Sequence, residues 1–120
     1  VLCIEDHASC LKILQEGLRD FAVVRGAGSI RRACAELEAA MPALVLLDLD
    51  LPDGNGLEVL DYMRRTPRLS DVPVLVVSAA ADEPTFAEAR RRGAQGCLAK
   101  PVDLQQVRRL AMSLLGLLAF

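Results

Sequence analysis

The sequence predicts an α/β fold, a doubly wound sheet of five parallel strands with helices on both faces. Short apolar runs alternate with amphipathic stretches along the whole chain, which is the pattern of repeated strand–helix units. No two predicted strands are adjacent in sequence, so a small mixed α+β domain is disfavoured. The 120 residues are 52% apolar and 25% charged, which favours one compact domain.

The first two strand–helix units occupy the start of the chain. VLCI (1–4) is predicted to be a buried strand, and a helix with leucines on one face follows from about Ser9 to Asp20. FAVV (21–24) is predicted to be the second strand. The turn RGAG then leads to Ser29, a favourable N-cap residue for the helix SIRRACAELEAA, and Pro42 marks the end of that helix.

The middle of the chain contains two strongly apolar runs. LVLL (44–47) is predicted to be the third strand and VPVLVV (72–77) the fourth. Between them, DLDLPDGNG predicts a loop because of its Pro and Gly content, and LEVLDYMRR predicts a helix.

The last part of the chain completes the pattern. Pro84 suits the first turn of a short helix, PTFAEARRR, and GCLA (96–99) is predicted to be the fifth strand. Asp103, followed three residues later by Gln106, resembles a capping box and opens a helix that runs towards Leu118. The prediction is therefore five strands and five helices.

Composition argues against several classes of function. Sixteen acidic and fourteen basic residues give a net charge of −2, so a strongly basic nucleic-acid-binding domain is disfavoured. Aromatic residues make up 3% and Trp is absent, which argues against base-stacking platforms. The longest apolar stretch, LAMSLLGLLAF (110–120), is far shorter than the roughly 20 residues of a membrane-spanning helix. We therefore expect this domain to bind neither nucleic acid nor membrane directly.

The cysteines and the two ends of the chain indicate its compartment and context. The four cysteines, at positions 3, 10, 34 and 97, contain no CxxC pair, which predicts reduced thiols and a cytoplasmic location. Glu5 and Asp6 interrupt the first apolar run, so no signal peptide is visible. Because the chain begins at Val1 and stops within an apolar stretch, we expect residues 1–120 to be one domain excised from a longer chain.

Polar side chains follow the predicted strands. Glu5 and Asp6 follow the first strand, Asp48 the third, Ser78 the fourth and Lys100 the fifth. The carboxyl ends of parallel strands meet at one edge of a sheet, so these side chains should lie together. Three carboxylates there would repel one another unless a cation neutralised them, and such oxygens are the ligands that Mg²⁺ prefers. A hydroxyl and an ammonium opposite the acids would then frame an oxyanion.

Several separated segments together resemble the receiver domain of two-component response regulators. They are IED near the start, LVLLDLDLPDGNG with Pro52 four and Gly56 eight residues after Asp48, VVSAA, and GAQGCLAKP. The segments agree with the family in order, spacing and position relative to the strands, and they span nearly the whole chain. The resemblance implies a flavodoxin-like (βα)5 fold with strand order 2-1-3-4-5.

The resemblance also implies roles for the acidic residues. Asp48 would be the phosphoacceptor. Glu5, Asp6 and Asp48 would hold Mg²⁺, and the backbone carbonyl of Asp50 would add a further ligand.

Residues after the fourth and fifth strands would act on the phosphoryl group. Ser78 would hydrogen-bond it, Lys100 would pair with it, and the small Ala79 would leave room for the phosphodonor and water. The peptide bond between Lys100 and Pro101 is often cis in this family, which would help to aim the lysine.

A receiver of this kind would be a signalling switch and not a turnover enzyme. A sensor histidine kinase or a histidine phosphotransfer protein would donate the phosphoryl group, and the resulting acyl phosphate would hydrolyse on the domain itself. An output domain would lie beyond the fragment. Homodimers or partners would dock on the surface of the fourth helix, fifth strand and fifth helix, where Arg91 or Arg108 would pair with acids of a second subunit.

Three residues depart from the family pattern or remain outside the predicted site. Cys97 stands where the family usually has an aromatic residue whose ring moves inward, so it cannot supply that movement; it is either a buried structural thiol or, less simply, a redox site. Asp50 adds a negative side chain beside Asp48, which predicts an altered phosphoryl lifetime. His7 follows the acid pair, and we interpret it as a loop residue outside the site.

Three alternatives remain open on the sequence. Asp48 and Asp50 form a DxD pair after a strand, as in haloacid-dehalogenase-type phosphatases, where they would be nucleophile and general acid. A flavodoxin-like flavin binder shares the topology, but the EDH segment offers carboxylates where phosphate needs donors. A degenerate receiver acting only as an interaction module is the third, and Cys97 is the residue that favours it.

Overall fold

A computed structural model of the chain describes residues 1–80 and 82–117. Its strands, in chain order, are β1 (Leu2–Ile4), β2 (Arg25–Ala27), β3 (Val45–Leu47), β4 (Asp50–Leu51), β5 (Gly54–Asn55), β6 (Val74–Ser78) and β7 (Gly96–Ala99). Five of them form one parallel sheet in the order β2-β1-β3-β6-β7, while β4 and β5 pair separately as an antiparallel hairpin. Counted within the parallel sheet alone, the order is 2-1-3-4-5, so the predicted fold class is confirmed.

Five α-helices connect the strands. They are α1 (Ala8–Gly17), α2 (Ile30–Ala39), α3 (Leu57–Arg65), α4 (Glu83–Arg91) and α5 (Leu104–Leu114), and a 3-10 turn lies at Pro67–Leu69. The predicted N-caps are confirmed: the Ser29 hydroxyl accepts a hydrogen bond from the Arg32 amide, and the Asp103 carboxylate accepts from the amides of Gln105 and Gln106. Asp82 caps α4 in the same way, by accepting from the Thr85 amide, and this cap was not predicted.

Two predicted helices are shorter than expected. α1 ends at Gly17 and not near Asp20, because the chain turns at Leu18, whose carbonyl accepts hydrogen bonds from the amides of Phe21 and Ala22. α5 ends at Leu114, because the chain turns at Leu115 and at Gly116, whose φ is +74°; Leu118, the predicted end of the helix, lies outside the described residues.

The prediction of the second strand is wrong. FAVV (21–24) is not a strand; β2 begins at Arg25 and pairs Gly26 with Cys3 of β1. Leu11 of α1 packs closely over Gly26, since a Cβ atom there would lie 2.4 Å from Leu11 Cδ2. Phe21, Ala22 and Val24 instead pack against the core from a loop, whereas Val23 is 81% exposed.

The core lies on both faces of the sheet. Along β3, Val45 and Leu47 belong to one buried cluster, and Leu46 to the other; β1 and β6 alternate in the same way. This explains why the strands read as continuous apolar runs, since helices cover both faces of a parallel sheet. Among the described residues, no helix has the length and apolar character needed to cross a membrane.

The segment predicted as a loop after the third strand contains the β4–β5 hairpin. Asp50 pairs with Asn55, and Leu51 pairs with Gly54. Two-residue strands are too short to carry a recognisable hydrophobic pattern, so they could not be predicted from the sequence. The hairpin matters below because it follows Asp48 directly.

Candidate acidic functional site

The carboxyl ends of four parallel strands bring the predicted site residues to one edge of the sheet. The Asp48 amide donates to the Ile4 carbonyl at 2.9 Å, which continues the pairing of β1 with β3 and sets Asp48 beside Glu5. Likewise, the Lys100 amide donates to the Ser78 carbonyl at 2.9 Å. The backbone ladder itself therefore positions the acids and the lysine.

An acidic cluster lies at this edge. Glu5 is 4% exposed and Asp48 is 2% exposed, whereas Asp6 is exposed. One carboxylate oxygen from each of these three residues, together with a ring nitrogen of His7, lies within 4.8 Å of the others. His7 Nδ1 is 2.9 Å from Glu5 Oε1 and 3.3 Å from Asp6 Oδ1. The structure thus brings the predicted acids together. It also adds His7, which was predicted to lie outside the site, although its position next to the acid pair could have indicated this contact.

Lys100 neutralises part of this cluster. Its Nζ donates to both carboxylate oxygens of Glu5, at 3.0 and 2.8 Å, and to Asp48 Oδ2 at 3.1 Å. Burial by itself would lower the pKa of Lys100, but the hydrogen bonds to Glu5 and Asp48 outweigh it and raise that pKa above its ordinary value. The ammonium is therefore charged at neutral pH.

Asp48 is held in an environment that disfavours its charge. Burial raises the pKa of Asp48, and the neighbouring Glu5 raises it further, while the Asp50 amide and Lys100 oppose the rise. The opposing contacts are specific: the Asp50 amide donates to Asp48 Oδ1 at 3.1 Å, and Lys100 binds Oδ2. Each oxygen of the carboxylate therefore has its own protein donor.

The donor set fits a hard divalent cation. Three carboxylates and one ammonium leave the cluster with excess negative charge, part of it buried. The 4.8 Å span of the ligand atoms is close to the roughly 4 Å between opposite ligands of an ion bound at about 2.1 Å. Small shifts would bring these oxygens to Mg²⁺ distances.

Gly56 allows the chain to fold tightly over Asp48. Its amide donates to the Leu49 carbonyl at 2.8 Å. A Cβ atom at this position would lie 2.2 Å from the Asp48 carbonyl oxygen and 2.9 Å from Leu49 Cα. Only glycine fits so close to the backbone of the acid, which gives a physical reason for a glycine eight residues after Asp48.

Two cavities flank the acids. One, of about 380 Å³, is lined by residues that include Asp48, Ala79, Lys100 and Pro101, and the peptide bond between the last two is cis. The other, of about 480 Å³, is lined by Ser78, and Asp50 borders both. Ser78 is 1% exposed, and its Oγ accepts a hydrogen bond from the Ala80 amide at 3.1 Å. Lys100 therefore faces Asp48 directly, whereas Ser78 lies in the neighbouring cavity.

Cys97 occupies the position of the usual aromatic residue on β7. Its thiol donates to the Phe86 carbonyl at 3.8 Å, and its side chain packs against one core cluster. Burial raises the pKa of Cys97, which disfavours a reactive thiolate. These contacts are those of a structural thiol.

The two arginines expected to pair across subunits are engaged within the chain. Arg91 pairs with Glu88 on the same helix. Arg108 donates to both carboxylate oxygens of Asp20, at 2.7 and 2.9 Å, and stacks over the Phe21 ring. Both guanidinium groups therefore have acidic partners within the same chain.

Comparison with known proteins identifies the family of the chain. The chain matches the model of the response regulator receiver domain over residues 1–111. It is 34% identical over 116 residues to the KDP operon transcriptional regulatory protein KdpE of Escherichia coli, covering 95% of this chain but 50% of that protein. The chain thus spans half the length of this relative.

Solved structures share the fold. The receiver domain of NtrX from Brucella abortus superposes with a TM-score of 0.85 at 28% identity, covering 96% of this chain and 97% of that one. The phosphorylated cyanobacterial phytochrome response regulator RcpA superposes with a TM-score of 0.86 at 26% identity, covering 98% of this chain and 94% of that one. With its sheet order, its acidic cluster and the family match over residues 1–111, the chain belongs to the response regulator receiver domains of two-component systems.

Proposed function

We propose that this domain is a Mg²⁺-dependent phosphorylation switch whose acceptor is Asp48. The observation that carries the proposal is the position of the Asp48 carboxylate. It lies within the cluster of acids, its Oδ1 is held by the Asp50 amide, and its Oδ2 is held by Lys100. A carboxylate fixed in this way, at the wall of an open cavity, is a preorganised nucleophile.

The proposed reaction transfers a phosphoryl group from a phosphohistidine of a sensor histidine kinase or a histidine phosphotransfer protein. An Asp48 oxygen attacks phosphorus in line, and the phosphorus–nitrogen bond breaks as the imidazole leaves with the electron pair. The product is an acyl phosphate. Water later attacks the same phosphorus, which releases inorganic phosphate and restores the carboxylate.

Glu5, Asp6, Asp48 and the backbone carbonyl of Asp50 would hold Mg²⁺. The ion, when bound, supplies positive charge to the transferring phosphoryl oxygens. The burial of Glu5 and Asp48 supports this assignment, because a buried pair of like charges gains most from a cation.

Lys100 would supply a second positive charge to the phosphoryl group. Its Nζ lies 3.1 Å from Asp48 Oδ2, so it needs only to exchange a carboxylate partner for a phosphoryl oxygen. Ser78 would move its hydroxyl from the Ala80 amide towards the new negative charge, and Ala79 would leave access for the donor. Adding about two negative charges at Asp48 would shift an existing equilibrium between two arrangements of these loops.

We also propose that residues 1–120 are the receiver domain of a longer protein with an output domain. The relative KdpE is a transcriptional regulatory protein, and this chain corresponds to half of it. The family match over residues 1–111 supports a receiver against the phosphatase and flavin alternatives. Cys97, in place of an aromatic residue, is the one feature that favours a degenerate receiver.

The test is the intact mass of the domain after incubation with Mg²⁺ and acetyl phosphate. The proposal predicts a gain of one phosphoryl group that EDTA prevents and that Asp48→Asn lacks. No gain in a folded, Mg²⁺-bound protein would contradict it. Turnover on a phosphate ester would then indicate a phosphatase, and its absence would indicate a degenerate receiver.

A further inference from the structure

The first turn of α2 is capped by two separate parts of the chain. The Ser29 hydroxyl accepts from the Arg32 amide at 3.1 Å, as a local N-cap does. The two preceding amides donate to Asp53, which lies at the tip of the β4–β5 hairpin. Ile30 N donates to Asp53 Oδ1 at 2.8 Å, and Arg31 N donates to Oδ2 at 3.1 Å. One carboxylate, 22 and 23 residues away in sequence, thus satisfies two free amides of the helix.

Further contacts hold the hairpin against its neighbours. Its tip lies close to α2, since a Cβ atom on Gly54 would be 2.9 Å from Ile30 Cδ1. At its base, the Asn55 side chain accepts from the amide of Leu57, the first residue of α3, at 2.9 Å. The hydrogen bonds from Ile30 and Arg31 also lower the pKa of Asp53, so its carboxylate is charged at neutral pH. The hairpin is therefore fastened at both ends.

The same hairpin contains the backbone that touches Asp48. Asp50 begins β4, and its amide donates to Asp48 Oδ1 at 3.1 Å. Its carbonyl is the backbone ligand assigned to Mg²⁺ under the proposed function. A movement of the hairpin away from α2 would therefore shift the backbone groups of Asp50 relative to Asp48.

We propose that Asp53 is a positioning residue for the metal site, because it fastens the β4–β5 hairpin to α2 and so fixes the Asp50 backbone against Asp48. This inference rests on the proposed Mg²⁺ site. Asp53 is exposed and lies outside the acidic cluster, so it would influence metal affinity through the Asp50 backbone.

The chain offers a matched control. Ser29→Ala removes the other cap of the same helix and leaves the hairpin contacts intact, whereas Asp53→Ala removes two caps and the fastening. Both variants destabilise α2. Only the second frees the hairpin, so a difference between them in metal binding reports positioning and not helix stability.

The experiment measures the Kd of Mg²⁺ by titration calorimetry for wild type, Asp53→Ala, Asp53→Asn and Ser29→Ala, each checked for folding by circular dichroism and urea unfolding. Outer residues that orient ligands commonly change metal affinity by about tenfold or more, so we expect Asp53→Ala to weaken Mg²⁺ binding by at least about threefold. Asp53→Asn keeps one acceptor oxygen, so its affinity for Mg²⁺ should lie between those of Asp53→Ala and wild type. This variant also provides the test if the alanine variant does not fold. Ser29→Ala should bind within about twofold of wild type.

Equal affinity in wild type and both Asp53 variants would overturn the inference, as would an equal loss in Ser29→Ala and Asp53→Ala. Either result, with wild type still binding Mg²⁺ and taking up a phosphoryl group, leaves the proposed function standing. A folded wild type that binds no Mg²⁺ would instead overturn the proposed metal site and this inference together.

Discussion

Lys100 and Glu5, 95 residues apart in sequence, form a two-oxygen ion pair at the centre of the site, with Nζ at 3.0 Å from Oε1 and 2.8 Å from Oε2. The same ammonium reaches Asp48 at 3.1 Å. In the absence of a metal, a single lysine therefore offsets the charge of two buried acids. Lys100 thus reduces the repulsion between two acids that the backbone pairing of β1 and β3 places side by side.

Replacing Lys100 should destabilise the metal-free domain. In Lys100→Met, Glu5 and Asp48 would remain buried with no counter-charge. Removing one partner of a fully buried pair costs about 3–5 kcal/mol, and since Lys100 is partly exposed we expect about 2 kcal/mol by urea unfolding in EDTA. Saturating Mg²⁺ should recover part of this loss.

The control is the other lysine of the chain. Lys12 is exposed on α1, and Lys12→Met should change the free energy of unfolding by less than about 0.5 kcal/mol. Equal stabilities for the two variants would contradict the assigned role of Lys100.

Gly56→Ala should disturb Asp48 through the backbone. A Cβ atom at Gly56 would lie 2.2 Å from the Asp48 carbonyl oxygen, so the chain must shift, at a cost of at least about 2 kcal/mol. Gly28→Ala is the matched control, because nothing lies closer than 3.9 Å to a Cβ there. Thermal unfolding of the two variants compares them, and a Gly56→Ala protein as stable as Gly28→Ala would refute the steric argument.

Asp50→Asn should lengthen the life of the acyl phosphate. The Asp50 side chain borders both cavities beside Asp48, where its charge repels the phosphoryl group. Exposed charges at this range are worth up to ~1 kcal/mol, so hydrolysis should slow by about two- to fivefold. The loss of the phosphorylated mass with time measures the rate. Asp71→Asn, at an exposed acid that precedes the amino end of β6, should leave it unchanged, and equal rates in Asp50→Asn and wild type would exclude the effect.

Cys3 should make the fold sensitive to alkali. Burial raises the pKa of its thiol to about 12, against an ordinary value of 9.0 in the unfolded chain. Between these values the unfolded chain loses the proton while the folded one keeps it, so stability falls as pH rises, by up to about 1.4 kcal/mol per pH unit. Below pH 9.0 this loss is absent.

Cys3→Val removes this titration. Urea unfolding at pH 8 and pH 10 should show that wild type loses about 1 kcal/mol more than the variant across this interval. An identical pH dependence for the two proteins would show that the thiol ionises equally in both states.

Much of the fold was predictable because the sheet is buried on both faces. Four of its five strands read as apolar runs, and the acids, serine and lysine follow those runs at fixed positions. The exception is β2, an edge strand that contains Gly26 and depends on the packing of Leu11, which no local pattern reveals.

The finer parts of the site depend on contacts between distant segments. His7 joins the acids, and Ser78 turns towards the Ala80 amide, through local loop geometry that residue type does not determine. Asp53 reads as an ordinary turn residue next to Pro52 and Gly54, yet it caps a helix that begins 23 residues earlier. Long-range capping of this kind becomes visible only in three dimensions.

The most direct test of the central claim is to locate the phosphoryl group. Borohydride reduces an acyl phosphate to an alcohol, so treating the Mg²⁺- and acetyl phosphate-incubated domain should convert the modified aspartate to homoserine, which peptide mass spectrometry can place. We predict homoserine at position 48 alone, and none in Asp48→Asn or with EDTA. Homoserine at Asp6 or Asp50, or a phosphorylated protein with none, would contradict the assignment of Asp48 as the acceptor.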